Sequence, residues 1–434
     1  MNISSILGLN ARFSLYSYPY NTRKGKKIAG SKLLTKKVLL KVGIATPKVW
    51  AIFRKPQGVY CFNWATLPDS FAFKPTRGLG GEGIIVVKKK ARDGNGWITT
   101  QRKRVTPDDL QLHALDILEG AYNFDGIPDV GFCEEYVPRH KAFRRFAYRG
   151  TPDIRIIVFN KIPIIAMLRL PTKESGGRAN LHQGAIGVGI DIATGITTHA
   201  VHHKESIRFK PGTKRKLHGI KIPFWNQILE LAVESGDISG LGYLGVDVII
   251  HPEKGPMILE LNSAPGLEIQ LANMTGLRRR LERVEGLKIN SPEHGVKMGK
   301  ALFASSLAAR VKAEEEGYKT VEIFESVKIR NKRGKKVLVP AKIDTGAKSS
   351  SIDIKLAKEL GLYDADNILW KRTFKSSLGK QRRPVIQITF WLKGKRIDTT
   401  AGVSDRKRLT KPFIVGSNDL TGFLVNPTPI HKNE

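Results

Sequence analysis

The sequence predicts an α/β (α+β) domain followed by a small, mainly β domain. Residues up to Asn262 mix helical and strand patterns, whereas from Val321 onward short β-branched runs alternate with polar turns. The length of 434 residues exceeds the roughly 250 to 300 residues that a single core holds, so at least two domains are expected. We place the first domain at residues 1–290, a helical linker at 291–320 and the second domain at 321–434.

The elements follow from apolar periodicity along the chain. Helical spacing covers residues 31–42 and 107–120, and a helix that starts at Ser291 continues in composition to Glu316. Patterns typical of strands cover residues 71–74, 84–88, 131–137, 154–160, 164–170, 245–250, 257–262, 327–329, 337–343, 386–391 and 413–415. We expect helices and strands to keep alternating as far as Asn262.

Composition narrows the class of protein. Lys and Arg outnumber Asp and Glu by 73 to 39, a formal charge of +34 that favours ribosomal, nucleic-acid or other acidic partners. Two cysteines, Cys61 and Cys133, supply neither a disulfide framework nor four zinc ligands, which fits a cytoplasmic protein. No stretch reaches the roughly 18 apolar residues of a membrane span, so we expect no membrane partner. The acid-free first thirty residues have the composition of a transit peptide, although cleavage there would leave Lys32 almost at the new terminus.

A glycine-rich turn follows the strand at residues 71–74. Gly78, Gly80 and Gly83 match GxGxxG, but a dinucleotide-binding fingerprint must open a helix, and residues 84–88 predict a strand. Such a loop can instead fold over phosphates and offer backbone N–H groups, and an ordinary flexible hairpin is the alternative. Lys74 ends the preceding strand, where its ammonium group could reach phosphate oxygens. It could equally be one surface lysine among many.

The predicted hairpin at residues 245–262 contains acidic side chains. Glu260 and Asn262 share one face because side chains alternate along a strand, and the hairpin can bring Asp247 beside them. Oxygen ligands of this kind suit Mg²⁺. Outward-facing charges are the alternative, but the apolar flanks Val246 and Leu261 favour buried acids, which require a metal or a partner.

These motifs, in this order, resemble ATP-grasp enzymes, and within them the alpha-L-glutamate ligase-related proteins, over about residues 1–290. Further segments that carry the resemblance are Gly8 to Arg12, Phe73 to Pro75, Asp153 to Arg155, Asn180 to Gly184 and Glu260 to Gly266. The resemblance implies an ATP-grasp fold that binds ATP with Mg²⁺, or alternatively Mn²⁺. It also implies a ligase that activates a carboxylate as an acyl phosphate and adds glutamate or a similar amino acid to a peptide or protein.

The resemblance assigns roles to individual residues. The implied catalytic residues are Arg155 and Arg169, and the implied metal ligands are Asp247, Glu260 and Asn262. Asn180 and His182 would line the substrate site. The implied nucleotide-binding residues are Lys32, Lys74, Gly80, Gly81, Gly83, Glu134, Glu135, Tyr136 and Val137. Residues 134–137 would form the hinge that receives adenine. The arginines would bind an acidic substrate or the transferring phosphoryl group, with ion pairing inside a sheet as their alternative, and His182 could simply be a loop histidine. Gly30 and Ser31 replace the family's acid before the first lysine, and no ribose-binding acid follows the hinge.

A second motif lies in the C-terminal domain. Asp344-Thr345-Gly346 follows an apolar strand, and Phe413-Ile414-Val415-Gly416 comes much later. The pattern resembles a retropepsin-like aspartic protease barrel, as in the family of ATP-dependent zinc proteases, and implies that Asp344 is the catalytic acid. Aspartic proteolysis uses two carboxylates, so an active protease would be a homodimer. An Asx turn opened by Asp344 is the alternative, and no cluster of zinc ligands in this domain supports the zinc name.

The two motif sets together predict a bifunctional cytoplasmic enzyme, a carboxylate–amine ligase fused to an aspartic peptidase-like hydrolase. The competing hypothesis is a non-catalytic or regulatory binding protein, held to ribosomes or nucleic acid by its charge. Aromatic residues are not interleaved with the basic runs as they are in stacking platforms, which favours the enzyme.

Overall fold

The computed structural model separates the chain into two compact units, Met1–Val296 and Lys297–Glu434. The residues that the structure describes are 5–78, 80–123, 126–305, 317–376, 379–405 and 411–427, with backbone alone at 374–376 and 379–381. Among these residues, no helix has the length and apolar character needed to cross a bilayer.

The first unit contains short helices, several of which begin at capping side chains. They are α1 (Leu9–Ala11), α2 (Tyr18–Tyr20), α3 (Arg23–Ala29), α4 (Lys32–Leu40), α5 (Pro56–Tyr60), α6 (Pro107–Leu118), α7 (Trp225–Ser239), α8 (Ile269–Ala272) and α9 (Arg278–Val284). α4 begins at Lys32 because the Ser31 hydroxyl accepts the Leu34 N–H at 3.3 Å, satisfying a first-turn donor. Thr106 and Asp109 form a reciprocal capping box at α6. Both helices predicted in this part of the chain are therefore present.

The first sheet has six strands in the order β1-β6-β2-β3-β4-β5. Its strands are β1 (Val49–Phe53), β2 (Phe71–Pro75), β3 (Ile85–Lys90), β4 (Trp97–Thr99), β5 (Arg104–Val105) and β6 (Gly131–Glu135). Every pairing is antiparallel. Phe53, Phe73 and Trp64 pack with Leu110 and Ile117 of α6 in its core, which anchors the strand that carries Lys74.

The second sheet has seven antiparallel strands in the order β11-β10-β9-β8-β7-β12-β13. They are β7 (Asp153–Phe159), β8 (Ile162–Leu170), β9 (Ile186–Ile190), β10 (Thr197–His202), β11 (Glu205–Ile207), β12 (Tyr243–His251) and β13 (Gly255–Asn262). The expected alternation of helices and strands up to Asn262 is wrong here, because β7 to β11 follow one another without an α-helix. Antiparallel neighbours can be joined by short turns, so no crossover helix is needed.

Register places five charged residues on one face of this sheet. Asp247 of β12 lies opposite Arg155 of β7 on one side and opposite Glu260 of β13 on the other. Asp153, two residues before Arg155, lies opposite Arg169 of β8. Directly paired residues and residues two apart share a face, so these side chains converge.

The second unit is a small β-barrel. Its strands are β14 (Lys319–Glu322), β15 (Phe324–Arg330), β16 (Lys336–Asp344), β17 (Ser351–Asp353), β18 (Ile368–Ser376), β19 (Gly379–Leu392), β20 (Lys395–Ser404), β21 (Phe413–Gly416) and β22 (Phe423–Asn426). Seven follow the order β15-β16-β21-β17-β20-β19-β18, and an additional β15–β19 pairing closes the sheet. Val327, Ile329, Phe390 and Phe413 fill its interior. The four strands predicted in this domain are present and longer than predicted.

The residues described from 292 onward include two α-helices. α10 (Pro292–Phe303) contains the boundary in sequence between Val296 and Lys297, and α11 (Ile354–Glu359) follows β17. The predicted linker helix begins where α10 begins, but residues 306–316 of that prediction lie outside the described residues.

Candidate active site

A cavity of about 840 Å³ in the first unit is lined by both sheets and by the segment after β8. The predicted residues that line it are Lys32, Lys74, Gly80, Gly81, Glu134, Glu135, Tyr136, Val137, Arg155, Arg169, Asn180, His182, Asp247, Glu260 and Asn262. Gly83 does not line the cavity. Its carbonyl oxygen lies 2.9 Å from His113 Nε2, and a Cβ at this position would lie 2.5 Å from the Tyr122 ring.

The glycine-rich loop is held from two directions. The Lys32 ammonium donates to the Gly78 carbonyl at 2.9 Å, and the Asn180 amide donates to the Gly80 carbonyl at 2.8 Å. Lys32 Nζ also lies 3.8 Å from a Glu260 carboxylate oxygen. The first turn of α4, the glycine-rich loop and β13 therefore meet at Lys32. Leu79 of the loop lies outside the described residues.

A buried carboxylate of β6, that of Glu134, forms ion pairs with two lysines. Glu134, 2% exposed, accepts from Lys74 at one oxygen and from Lys36 at the other, 2.8 Å away. Lys36 also donates to the Pro47 carbonyl at 3.0 Å. Burial alone would raise the pKa of Glu134, but Lys74 and Lys36 hold it below its usual value. Burial lowers the pKa of Lys36, against the pull of Glu134.

The charged face of the second sheet forms a connected ion-pair network. Arg155 binds both oxygens of Asp247, at 2.7 and 2.6 Å, and Arg169 binds both oxygens of Asp153, at 2.5 and 2.7 Å. Arg169 also donates to Asp247 at 2.7 Å, which joins the two pairs. Burial raises the pKa of Asp153 to about 6, with Arg169 opposing. For Asp247, burial acts in the same direction, but Arg155 and Arg169 hold its pKa well below the ordinary range.

The predicted magnesium ligands differ in their availability. The Glu260 side chain is 31% exposed, and its Oε1 lies 4.0 Å from Arg155 Nη2. The Asn262 amide nitrogen lies 3.5 Å from the same Glu260 oxygen. These two oxygen-bearing side chains fit a Mg²⁺ site, because Mg²⁺ is commonly held by one or two protein ligands together with substrate phosphates. Asp247 is 2% exposed and bonded at both oxygens, so it would have to exchange an arginine for the metal. Its role as a metal ligand remains a prediction.

The predicted hinge continues from β6 into an extended segment. The Glu134 side chain is directed to the two lysines, so the side chain itself is already engaged. Glu135 pairs with Lys254 and accepts the Lys48 N–H at 3.2 Å. Val137 is buried against the β12–β13 hairpin.

The remaining predicted substrate residues lie in the segment between β8 and β9. Asn180 accepts the His182 N–H at 3.0 Å, and His182 is 75% exposed, 3.4 Å from Glu268. Arg178 lines the same part of the cavity. An exposed arginine and an amide therefore line the same cavity as the arginine network, where a polar substrate could be held.

Sequence reasoning missed the cavity-lining residues Asp153 and Arg178, and also Lys36, which pairs with Glu134. Lys36 follows Lys32 by four residues, which places both on one face of α4. Asp153 belongs to the Asp153-Ile154-Arg155 segment, whose alternation puts its first and third side chains on one face. Both signals are present in the sequence. The sequence alone does not identify the pairing partners, which lie on other elements: Glu134 of β6 for Lys36 and Arg169 of β8 for Asp153.

The Asp-Thr-Gly motif of the second unit ends β16. One Asp344 oxygen accepts the N–H groups of Gly346 and Ala347 at 3.1 and 3.0 Å, so the Asx turn is present. β16 runs parallel to β21, with Asp344 opposite Gly416. Nearby, Ser350 donates to the half-buried Asp419, whose pKa is raised by desolvation.

Comparison with known proteins gives a family for the first unit. Residues 11–286 match the family described as "Sugar-transfer associated ATP-grasp". A "Probable alpha-L-glutamate ligase" of Maridesulfovibrio salexigens is 32% identical over 190 residues, which is 44% of this chain and 45% of that protein. A protein of the same description from Marinomonas sp. is 25% identical over 215 residues, 50% and 53% of the two chains. This chain thus spans about half the length of the curated relatives it matches. The solved structure of the ATP-grasp ligase PsnB with its minimal precursor is 14% identical, with a TM-score of 0.33 over 61% of this chain and 62% of that one.

Proposed function

This chain belongs to the sugar-transfer associated ATP-grasp family, and from that premise we propose that its first unit is an ATP-dependent ligase that joins a carboxylate to an amine. The observation that carries the proposal is one cavity in which two lysines, an arginine–aspartate network and the partly exposed carboxylate of Glu260 converge. The proposed domains are residues 1–290 for the ligase, 291–320 for the linker and 321–434 for the second domain.

The proposed roles follow from charge and position. Lys32 and Lys74 would contact ATP phosphates, the glycine-rich loop would cover them, and residues 134–137 would receive adenine through the backbone. Glu260 and Asn262, with Asp247 if it is released from Arg155, would hold Mg²⁺. When bound, the metal would neutralise phosphate charge during transfer.

The proposed reaction needs no protein nucleophile. A substrate carboxylate oxygen bonds to the γ-phosphorus of ATP as the bond to ADP breaks, and an amine then attacks the acyl carbon and releases phosphate. Arg155 and Arg169 would stabilise negative oxygens, since guanidinium groups bind carboxylate and phosphoryl oxygens in pairs. The ion pairs with Asp153 and Asp247 hold both guanidinium groups in orientation before substrate arrives.

The proposed substrates are an amino acid, glutamate or a similar one, and a peptide or protein acceptor. The relatives described as glutamate ligases and a cavity rich in Lys and Arg support an acidic amino acid. Purified full-length chain with ATP, Mg²⁺ and a panel of amino acids and peptides should release phosphate only when a matching pair is present. Absence of turnover across a broad panel would contradict the ligase, and Glu260→Gln is the inactive control.

For the second unit we propose a retropepsin-like peptidase in which Asp344 is the catalytic acid, related to the ATP-dependent zinc protease family. The Asp344 turn beside Gly416 supports this proposal. A second carboxylate would come from a homodimer. Asp344→Asn should abolish cleavage of a ligated product while leaving phosphate release unchanged, and equal cleavage by the variant would reject the assignment.

The net charge of +34 supports a second candidate, a regulatory protein bound to ribosomes or nucleic acid. Salt-dependent RNA binding that is unaffected by Glu260→Gln, in a chain that shows no phosphate release, would favour this function.

A further inference from the structure

Three possible metal ligands, Glu174, His202 and His203, meet in the first unit without lining the cavity. Their ligand atoms all lie within 4.8 Å of one another. His202 ends β10 and His203 begins the turn to β11, whereas Glu174 belongs to the segment between β8 and β9. The cluster therefore joins two stretches of chain that are separate in sequence.

The backbone brings two adjacent histidines together. Successive side chains of a strand point to opposite faces, so neighbouring histidines in a strand would be kept apart. Here His203 and Lys204 take positive φ values of 50° and 67°, as in a two-residue hairpin turn, and β10 stops at His202. The two imidazole rings consequently lie with centroids 4.1 Å apart.

Glu174 approaches both imidazoles. Its Oε2 lies 2.8 Å from His203 Nε2 and 3.6 Å from His202 Nε2. Gly184 makes room for it, because a Cβ there would lie 2.7 Å from the Glu174 carboxyl carbon. His202 Nε2 also lies 3.1 Å from the Gly184 carbonyl oxygen.

We propose that Glu174, His202 and His203 bind a divalent transition metal, with Zn²⁺ the best match. Two imidazole nitrogens and one carboxylate oxygen suit Zn²⁺ and disfavour Mg²⁺ and Ca²⁺, which prefer oxygen ligands. Metal–ligand bonds of about 2.0–2.2 Å in a tetrahedron separate neighbouring ligand atoms by roughly 3.3–3.5 Å. The two nitrogen-to-oxygen distances lie on either side of this value, and the two ligand nitrogens lie within 4.8 Å of each other, so side-chain rotations would complete the site. His203 and Glu174 are 53% and 54% exposed, which leaves the fourth position to water.

A metal here would fasten one border of the cavity. The segment that carries Glu174 continues through Gly176, Arg178 and Asn180, which line the cavity, and Asn180 holds the glycine-rich loop at Gly80. Binding would tie this segment to the β10–β11 turn. The inference goes beyond the proposed ligase and does not depend on it, because both the metal and the segment can be measured without ATP.

The test uses the full-length chain without a polyhistidine tag, stripped of metal by a chelator. Co²⁺, added without nucleotide, should give the absorption bands of a bound, low-symmetry ion, and Zn²⁺ should displace it. Glu174→Gln and His203→Ala, both at exposed positions, should weaken Zn²⁺ binding by about tenfold or more, while the control His218→Ala retains it. Zn²⁺ should also slow tryptic cleavage after Lys173 and Arg178 in the unsubstituted chain and in His218→Ala, but not in Glu174→Gln or His203→Ala.

Two results would overturn the proposal. One is the absence of Zn²⁺ binding by the unsubstituted chain. The other is an affinity that Glu174→Gln and the double variant His202→Ala/His203→Ala leave unchanged, which would assign the metal to other residues. If the unsubstituted chain shows no ligase activity across the substrate panel but still binds Zn²⁺, the proposed function is rejected and the metal site is retained.

Discussion

Replacing Lys36 by methionine should destabilise the first unit by about 3 kcal/mol. Methionine keeps the unbranched stem but removes the ammonium group that is bonded to Glu134 at 2.8 Å and to the Pro47 carbonyl at 3.0 Å. A hydrogen bond to a buried charge contributes roughly 1.5 to 3 kcal/mol, and a buried carbonyl left without its donor costs about 1 to 3 kcal/mol. Relief from burying the Lys36 charge offsets part of this sum. Removing one partner of a buried pair typically costs about 3 to 5 kcal/mol, and the lower end applies because Lys74 still holds Glu134.

The matched control is Lys37→Met at the next position of α4, where the lysine is exposed. Its effect should stay within about 0.5 kcal/mol. Urea denaturation followed by hydrogen exchange in peptides of α4 and β6 reports the first unit separately from the second, which a single unfolding curve of a two-unit chain does not. Equal stability of the two variants would refute the reasoning.

A double variant isolates the pair itself. Glu134→Gln alone leaves two lysine ammonium groups without their shared carboxylate, whereas Lys36→Met/Glu134→Gln removes one charge of each sign. The double variant should therefore be at least about 1 kcal/mol more stable than the sum of the single effects predicts. Additive effects would mean that Lys36 and Glu134 act independently, in conflict with their 2.8 Å contact.

Three further predictions concern acid stability, packing and capping. Lys74 and Lys36 hold the pKa of Glu134 below its ordinary value of 4.5. The charge of Glu134 therefore stabilises the fold above that pH, and this stabilisation is lost as the pH falls through the folded-state pKa. In urea titrations below about pH 4.5, the difference in stability between the unsubstituted chain and Glu134→Gln should narrow. Gly416→Ala should destabilise the second unit by about 3 kcal/mol, because its Cβ would lie 2.5 Å from the Ser349 carbonyl carbon; an unchanged hydrogen-exchange rate in β21 would contradict this close approach. Thr106→Ala should cost about 1 kcal/mol through loss of the α6 capping box, and Thr106→Ser, which keeps the hydroxyl, should recover most of it, as measured by hydrogen exchange in peptides of α6.

Local sequence patterns predict the elements better than their arrangement. Ser31 before an apolar helical pattern marks the start of α4, and β-branched runs mark the strands of both units. The expected alternation up to Asn262 is wrong because the runs from Asp153 to Ile207 pair with one another in an antiparallel sheet. An apolar run contains no direct signal of its partner, so periodicity alone does not distinguish a strand that needs a crossover helix from one that follows a short turn.

The candidate site shows the same division. Alternation along one strand places Glu260 and Asn262 together. Asp247, in contrast, has its carboxylate oxygens bonded by Arg155, which lies 92 residues away along the chain. Glu134 and Lys36 are likewise far apart along the chain, and they meet only because α4 and β6 come together in the folded unit. Ion-pair partners in this site come from different elements, and their choice is a property of the tertiary fold.

The aligned row of Arg155, Asp247 and Glu260 constrains which changes of length the protein can tolerate. A loop outside the sheet can gain or lose residues at modest entropic cost. A single-residue deletion inside β7, β12 or β13 would instead turn every following side chain to the opposite face and separate this row. Natural variation in this part of the molecule should therefore consist of substitutions within strands of fixed length, with insertions confined to the turns.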